Sequence, residues 1–267
     1  MIRSALMNVM TAAVVKAARG MKRDFGEVEN LLVSMKGTGD FVSAADRRAE
    51  KTLFEELSKA RPGYGFVMEE SGRVEGADKT HTWHIDPLDG TTNFLHGIPQ
   101  FAISVALERE GQIVAGVVFN PAIDEMYVAE KGQGAFGANR RLRVATRRDP
   151  SLALFGCGMP HLGKAQEHPL FKAELAAVMS KVVNVRRMGS AALDLCYVAA
   201  GRFDAFWERG LNSWDIAAGE IIVREAGGTV SEPDGGSNYM KSGSIACGNE
   251  HMHRELLAMI ASARSPA

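Results

Sequence analysis

Trp83-His84-Ile85-Asp86-Pro87-Leu88-Asp89-Gly90-Thr91-Thr92-Asn93-Phe94 decides how this chain is read, because two carboxylates, a backbone bend and a helix start lie side by side within it. A β-branched and aromatic run leads into Asp86, and Pro87, which has no N–H to give to a sheet ladder, is expected to stop the strand there. Asp89-Gly90 is a turn signal, and Thr91-Thr92-Asn93 suits the opening of a helix whose first amides are unpaired. Amides of that kind attract phosphate. Two ionised Asp side chains a few Å apart repel by about 4 kcal/mol at an effective dielectric of about 20, so a divalent cation is the natural compensation. All-oxygen ligands favour Mg2+ over zinc. Taken alone, the same residues also suit a plain surface turn with Asp86 as a helix cap.

Punctuation along the chain organises the rest. Leu6, Val9, Met10, Ala13 and Ala17 recur at helical spacing, and Lys16 and Arg19 interrupt the apolar run, so the N-terminus reads as an amphipathic helix and not as a signal peptide. Lys36-Gly37-Thr38-Gly39-Asp40 reads as a flexible loop. Ser43 can cap a second helix, whose Ala49, Leu53, Phe54 and Leu57 form an apolar stripe ended by Pro62. Strands are expected over 65–68, 81–86, 101–108, 113–119 and 125–130, with Glu110-Gly111-Gln112 closing an antiparallel hairpin. From about Ser151 strands alternate with helices, expected over 167–181, 191–200, 215–226 and 249–263, which suggests a partly parallel α/β layer set. The chain therefore divides into an N-terminal α+β part, 1–148, and a C-terminal α/β part, 149–267.

Composition narrows the function. A chain of 267 residues that is 46% hydrophobic can bury a large core. Its 31 basic and 32 acidic residues leave a net charge of -1, which argues against bulk electrostatic binding to nucleic acid or membrane and for a small substrate. Cys157, Cys196 and Cys247 form no Cys-x-x-Cys pair and suit reduced core thiols in a cytoplasmic protein. His251-x-His253 has the wrong spacing for zinc on one helical face. No segment approaches the roughly 18 apolar residues of a membrane span. Gly132-Gln133-Gly134-Ala135-Phe136-Gly137 reads as a turn between strands, not a nucleotide loop.

Glu69-Glu70-Ser71, the run from Asp86 to Thr92, and Trp214-Asp215-Ile216-Ala217-Ala218-Gly219-Glu220 together resemble the inositol monophosphatase family, Mg2+-dependent and lithium-sensitive phosphomonoesterases. The resemblance runs from Lys36-Gly37 to Gly227-Gly228 and is greatest to the bacterial branch. It implies an α/β (α+β) fold, a five-layered alternating αβαβα sandwich of the inositol monophosphatase/fructose-1,6-bisphosphatase type with an antiparallel N-terminal sheet and a mixed C-terminal sheet, in a homodimer.

The resemblance also implies two to three Mg2+ ions. Glu69, Asp86 and the Leu88 carbonyl would hold one, Asp86, Asp89 and Asp215 the second, and a weaker third would lie near Glu69. Asp46 with Thr91 would orient and deprotonate the attacking water, with Glu69 beside them among the catalytic groups, and the amides of Gly90 and Thr91 would receive the phosphate. Gly189, Ser190 and Ala191 would line the alcohol pocket, Glu208 would accept hydrogen bonds from ring hydroxyls, and Asp89 and Asp215 would touch the substrate.

The residues themselves leave simpler readings open. Glu69 and Glu70 suit a solvated rim, Asp215 a helix N-cap, Asp46 the N3 carboxylate of a capping box begun by Ser43, Ser190 a helix cap and Glu208 an exposed strand end. Glu70 has no assigned role. The intact set of Asp46, Glu69, Asp86, Asp89, Thr91 and Asp215 favours a phosphatase of inositol monophosphate or a similar polyol phosphate. Histidinol phosphate, fructose 1,6-bisphosphate and adenosine 3',5'-bisphosphate phosphatases share the motif set, and the loop at 159–168 would decide among them. Arg140, Arg141, Arg143, Arg147, Arg148, Arg186 and Arg187 offer a different class of role, since bacterial members of the family have been linked to antitermination complexes: contact with RNA or a transcription complex.

Overall fold

The apolar stripe of the first helix lies against a sheet. Helix α1 (Ala5–Phe25) buries Met7, Met10, Ala13, Val14, Ala17, Ala18 and Met21, spaced three and four apart along one face. The computed structural model describes residues 4–25, 33–37, 40–160 and 162–263, and among these the side chains of 33–37, 40–43 and 162 are outside the description. Strands β1 (Val33–Gly37) and β2 (Asp40–Ser43) pair antiparallel, with Gly37 opposite Asp40. The loop expected over 36–40 is therefore largely hairpin: Val33, Phe41 and Val42 favour extended backbone and carry the ladder to the reversal. Thr38 and Gly39 lie outside the described residues. Helix α2 (Ala44–Ala60) packs on α1, buries Ala49, Leu53 and Leu57, and stops just before Pro62, whose ring disfavours helical backbone in the residue ahead of it. Ser43 directly precedes α2, but its side chain lies outside the description.

The next elements build one sheet: β3 (Gly65–Met68), β4 (Gly72–Val74), β5 (His81–Asp89), helix α3 (Thr91–Leu95), β6 (Ala102–Arg109), β7 (Gln112–Asn120), β8 (Glu125–Glu130), β9 (Gly134–Gly137) and β10 (Arg140–Arg141). The strands run in the order β10-β9-β8-β7-β6-β5-β3-β4. All neighbours are antiparallel except β3 and β5, which are parallel because β4 turns back along the outer edge between them. Pro87 does not end β5. The ladder to β6 breaks between Asp86 and Asp89 and resumes with Asp89 opposite Ala102. A proline costs nothing at such an irregularity, where no N–H is required.

The C-terminal elements are β11 (Leu154–Cys157), α4 (His168–Met179), β12 (Asn184–Arg186), α5 (Ala191–Ala199), β13 (Ala205–Glu208), α6 (Ser213–Glu225), β14 (Thr229–Ser231), α7 (Tyr239–Ser242), β15 (Ile245–Gly248) and α8 (Glu250–Ser262). Their strands form a five-stranded mixed sheet, β12-β11-β13-β15-β14. Layers then follow from contacts: α1 and α2, the eight-stranded sheet, α5 and α6, the five-stranded sheet, and α4 with α8. This is the αβαβα sandwich. Its middle helices have apolar residues on nearly all sides, as helices covered by a sheet on each face must. Leu195 and Ile222 are fully buried there, and truncating either to Ala would cost about 2–5 kcal/mol.

Cys157, Cys196 and Cys247 are free and buried. Burial pushes the Cys157 thiol up to about 12, which makes it a core group and not a nucleophile. His253 bonds Ser231 Oγ at 2.8 Å and His251 faces Arg254, so the two histidines do not share a ligand. No described helix is long and apolar enough to cross a membrane.

Candidate active site

The break in β5 is where the carboxylates gather. Asp86, 1% exposed, accepts the Leu88 N–H at 2.9 Å. Parallel pairing sets Met68 beside Ile85, and the Glu69 N–H reaches the Ile85 carbonyl at 3.2 Å, so Glu69 leaves β3 next to Asp86. Asp215 comes from the other side, in the first turn of α6, where its Oδ2 accepts the Asn212 N–H at 2.7 Å. It is the N3 residue and not the N-cap that the sequence suggests, because the extended backbone of Asn212 starts the helix earlier and Asp215 reaches back to it. Asp89 Oδ2 accepts from Ser190 Oγ at 2.6 Å and from the Ala192 N–H at 2.7 Å, at the start of α5.

These acids disturb one another. Burial, then Glu69, Asp89 and Asp215, hold the Asp86 carboxyl well above its ordinary range. Burial pushes Asp215 up to about 7, with Asp89 adding to it. Asp89 rises to about 6 through burial, opposed by its bonds to Ser190 and Ala192. Among the described residues no three His, Cys, Asp or Glu side chains converge closely enough to hold an ion, and Asp86, Asp89 and Asp215 each turn one oxygen to a protein N–H. The donor chemistry nonetheless fits Mg2+: it is all oxygen, and the crowding of negative charge is what a divalent cation offsets.

Beside the acids lies a tight turn. Gly90 has φ of 92°, and a Cβ there would stand 2.9 Å from the Gln100 carbonyl oxygen, so this position requires glycine. Thr91 Oγ1 lies 3.0 Å from the Leu88 carbonyl and 3.4 Å from Asp46 Oδ1. Asp46 is fully buried on α2, at the third helical position, which leaves its capping geometry and its place in the site compatible.

Two supporting residues escaped the sequence reading. Glu50, one turn beyond Asp46 on the same buried face, accepts the Glu70 N–H at 2.8 Å and the Ser71 hydroxyl at 2.5 Å, fixing the turn that follows Glu69. Its spacing from Asp46 was the available signal. Asn93 Nδ2 donates to the carbonyls of Gln100 at 2.7 Å and Met188 at 2.9 Å, tying α3 to the segment ahead of α5. Nothing in the sequence marks those partners.

The residues expected to face the alcohol lie on α5 and at the end of β13. Ser190 caps α5, and Gly189 and Ala191 flank it. Glu208 ends β13 half-buried, not exposed, and burial with Asp89 and Asp215 pushes its carboxyl up to about 8. A Cβ on Gly158 would fall 1.7 Å from Glu208 Cδ, so glycine there leaves the carboxyl its seat. Asp194, buried on α5, is raised well above its usual range by burial and by Glu208 and Asp89. Asp86, Asp89, Ser190 and Asp215 thus lie around the break in β5 and the starts of α5 and α6, with Asp46 reaching Thr91 from α2 and Glu208 at the end of β13.

The other motifs lie elsewhere. Glu225 accepts the N–H groups of Gly132 and Gly134, so α6 holds the turn at the start of the glycine-rich run, while Gly134–Gly137 is strand β9 and not the turn the sequence suggests. Arg147 is paired with buried Asp204 at 2.7 Å, while Arg140, Arg141, Arg143, Arg148, Arg186 and Arg187 are exposed.

A family model described as "Inositol monophosphatase family" matches residues 3–266. The chain is 62% identical to a Mesorhizobium japonicum protein named inositol-1-monophosphatase, over 97% of this chain and 97% of that one. It is 41% identical to Nus factor SuhB of Escherichia coli K12, over 95% of this chain and 94% of that protein. Among solved structures it is similar to the extragenic suppressor protein suhB from Bartonella henselae, with a TM-score of 0.94 and 54% identity, covering 96% of this chain and 98% of that one.

Proposed function

Because the chain belongs to the inositol monophosphatase family and is a phosphoric monoester hydrolase, we propose that it cleaves inositol monophosphate, or a similar small polyol phosphate, to the alcohol and inorganic phosphate with Mg2+. The observation that carries this reading is the gathering of Glu69, Asp86, Asp89 and Asp215 beside the Gly90 turn, with Asp46 behind Thr91. Glu69, Asp86, the Leu88 carbonyl, Asp89 and Asp215 would hold two to three ions. Bound Mg2+ neutralises the phosphate oxygens and lowers the pKa of a water ligand. The amides of Gly90 and Thr91 hold the phosphate, Asp46 acting through Thr91 takes the proton of the attacking water, and Glu69 keeps that water in place. Gly189, Ser190, Ala191 and Glu208, with Asp89 and Asp215, hold the alcohol. The chain is also read as a homodimer, which the exposed Met159, Met179 and Val183 beside the edge strand β12 support.

The test is phosphate release with Mg2+ from inositol monophosphate, histidinol phosphate, fructose 1,6-bisphosphate and adenosine 3',5'-bisphosphate. The highest kcat/KM is expected for inositol monophosphate, and a clear preference for another of the four overturns the substrate assignment. The relatives named Nus factor SuhB favour a second role, contact with RNA or a transcription complex through the exposed arginines. Unchanged binding of RNA and RNA polymerase after Arg140, Arg141, Arg143 and Arg148 are changed to Glu would remove that role from this face.

A further inference from the structure

The first turn of α6 carries Asp215, and two side chains fasten that turn to the eight-stranded sheet. His84 Nδ1 lies 3.0 Å from Ser213 Oγ, and Ser104 Oγ donates to the Trp214 carbonyl at 3.2 Å. Both fastenings end on residues immediately ahead of Asp215. On β5 His84 and Asp86 are two residues apart and so share a face, and Asp86 stands opposite Ser104 on β6. The contacts therefore flank the strand position of Asp86. Further along, the sheet meets α6 so closely at Gly116 on β7 that a Cβ would stand 2.7 Å from both the Ala218 carbonyl oxygen and Ile221 Cγ2. The body of the helix is seated by packing, while its first turn is held by hydrogen bonds.

His84 is 5% exposed, and its second nitrogen, Nε2, lies 3.0 Å from Glu108 Oε2. Glu108 on Nε2 and Ser213 on Nδ1 give the ring a polar partner at both ends. A partner on each nitrogen holds the ring in one orientation between β6 and the first turn of α6. We propose that His84 is a positioning residue: through Ser213 it fixes the first turn of α6 so that Asp215 meets Asp86 at the spacing a divalent cation needs. The inference rests on the Mg2+ reading above. Groups that orient a metal's ligands without touching the metal commonly alter its affinity by about 10–100-fold. Here the lower end applies, because the Asn212 N–H also holds Asp215.

The test is calorimetric titration of the intact protein with Mg2+ alone, beside thermal unfolding in EDTA. His84→Asn places an amide near the site of Nδ1, keeping Ser213 and giving up Glu108, whereas His84→Gln reaches toward Glu108 and gives up Ser213. Ser213→Ala removes one hydroxyl and keeps the question open if a His84 variant does not fold. Mg2+ binding roughly tenfold weaker in Ser213→Ala and His84→Gln, with His84→Asn within about twofold of the parent, is the expected result. Equal affinity in all four proteins, or equal weakening in the Asn and Gln variants, overturns the positioning role while leaving the Mg2+ reading intact. Absence of Mg2+ binding by the parent protein overturns both.

Discussion

Asp89 and Ser190 are joined by a 2.6 Å hydrogen bond that runs from the eight-stranded sheet to the first turn of α5. The same carboxyl oxygen takes the Ala192 N–H, so Asp89 acts as a brace between the two halves of the site as well as a charge within it. Its other oxygen is the one it would offer to a cation under the proposed function.

Asp89→Asn separates the two roles, since an amide oxygen can still accept from Ser190 while the charge is gone. Turnover is expected to fall by at least about two orders of magnitude, roughly 3 kcal/mol of transition-state stabilisation, with the circular dichroism spectrum retained. Steady-state phosphate release measures it, and near-parental turnover would leave Asp89 as a brace only.

Removing the metal should abolish activity. Excess EDTA is expected to stop phosphate release, Mg2+ to restore it, and millimolar Li+ to inhibit by competing at a position among Asp86, Asp89 and Asp215. Full activity in EDTA would overturn the metal mechanism.

Stability of the metal-free protein should depend on pH in a direction set by Glu208. Folding raises this carboxyl from its ordinary range to about 8 by burial, so between those values the folded state binds more protons than the unfolded state and stability falls as pH rises. Asp89, at about 6, and Asp215, at about 7, act in the same sense. In EDTA the Tm is expected to drop from pH 5.5 to pH 8.5, less steeply in Glu208→Gln, and added Mg2+ should flatten the curve. A Tm that rises over this interval contradicts the assignment of these buried acids.

Legibility in the sequence followed the range of the interactions. The strands over 65–68 and 125–130 fall where expected because turn residues bound them and their own side chains favour extended backbone. Pro87 misled because its effect depends on the partner strand: β6 makes no demand for an N–H there, so the strand continues through a break. Gly37 and Asp40 misled in the other direction, since turn-forming residues also close hairpins. The acids of the candidate site could be singled out because metal and phosphate chemistry would restrict residue type. Glu50, Asn93 and His84 could not, since each works by meeting groups far away in the sequence, and His84 becomes informative only when Ser213 is seen beside it.

Substitution of Glu208 tests whether recognition of the alcohol is separate from chemistry at phosphorus. Glu208 stands at the end of β13, where Gly158 leaves it room, on a different element from the Gly90 and Thr91 amides proposed to hold phosphate. Glu208→Gln should weaken the polyol substrate while a generic aryl phosphate is much less affected. Losing one charge-assisted hydrogen bond predicts a penalty of about 1.5–3 kcal/mol, or roughly tenfold to a hundredfold in kcat/KM for the polyol. Asp86→Asn, by contrast, should disable both substrates alike, since Asp86 lies at the centre of the acid cluster. Equal damage to both substrates by Glu208→Gln, or none to either, would make Glu208 structural and move the alcohol pocket away from β13.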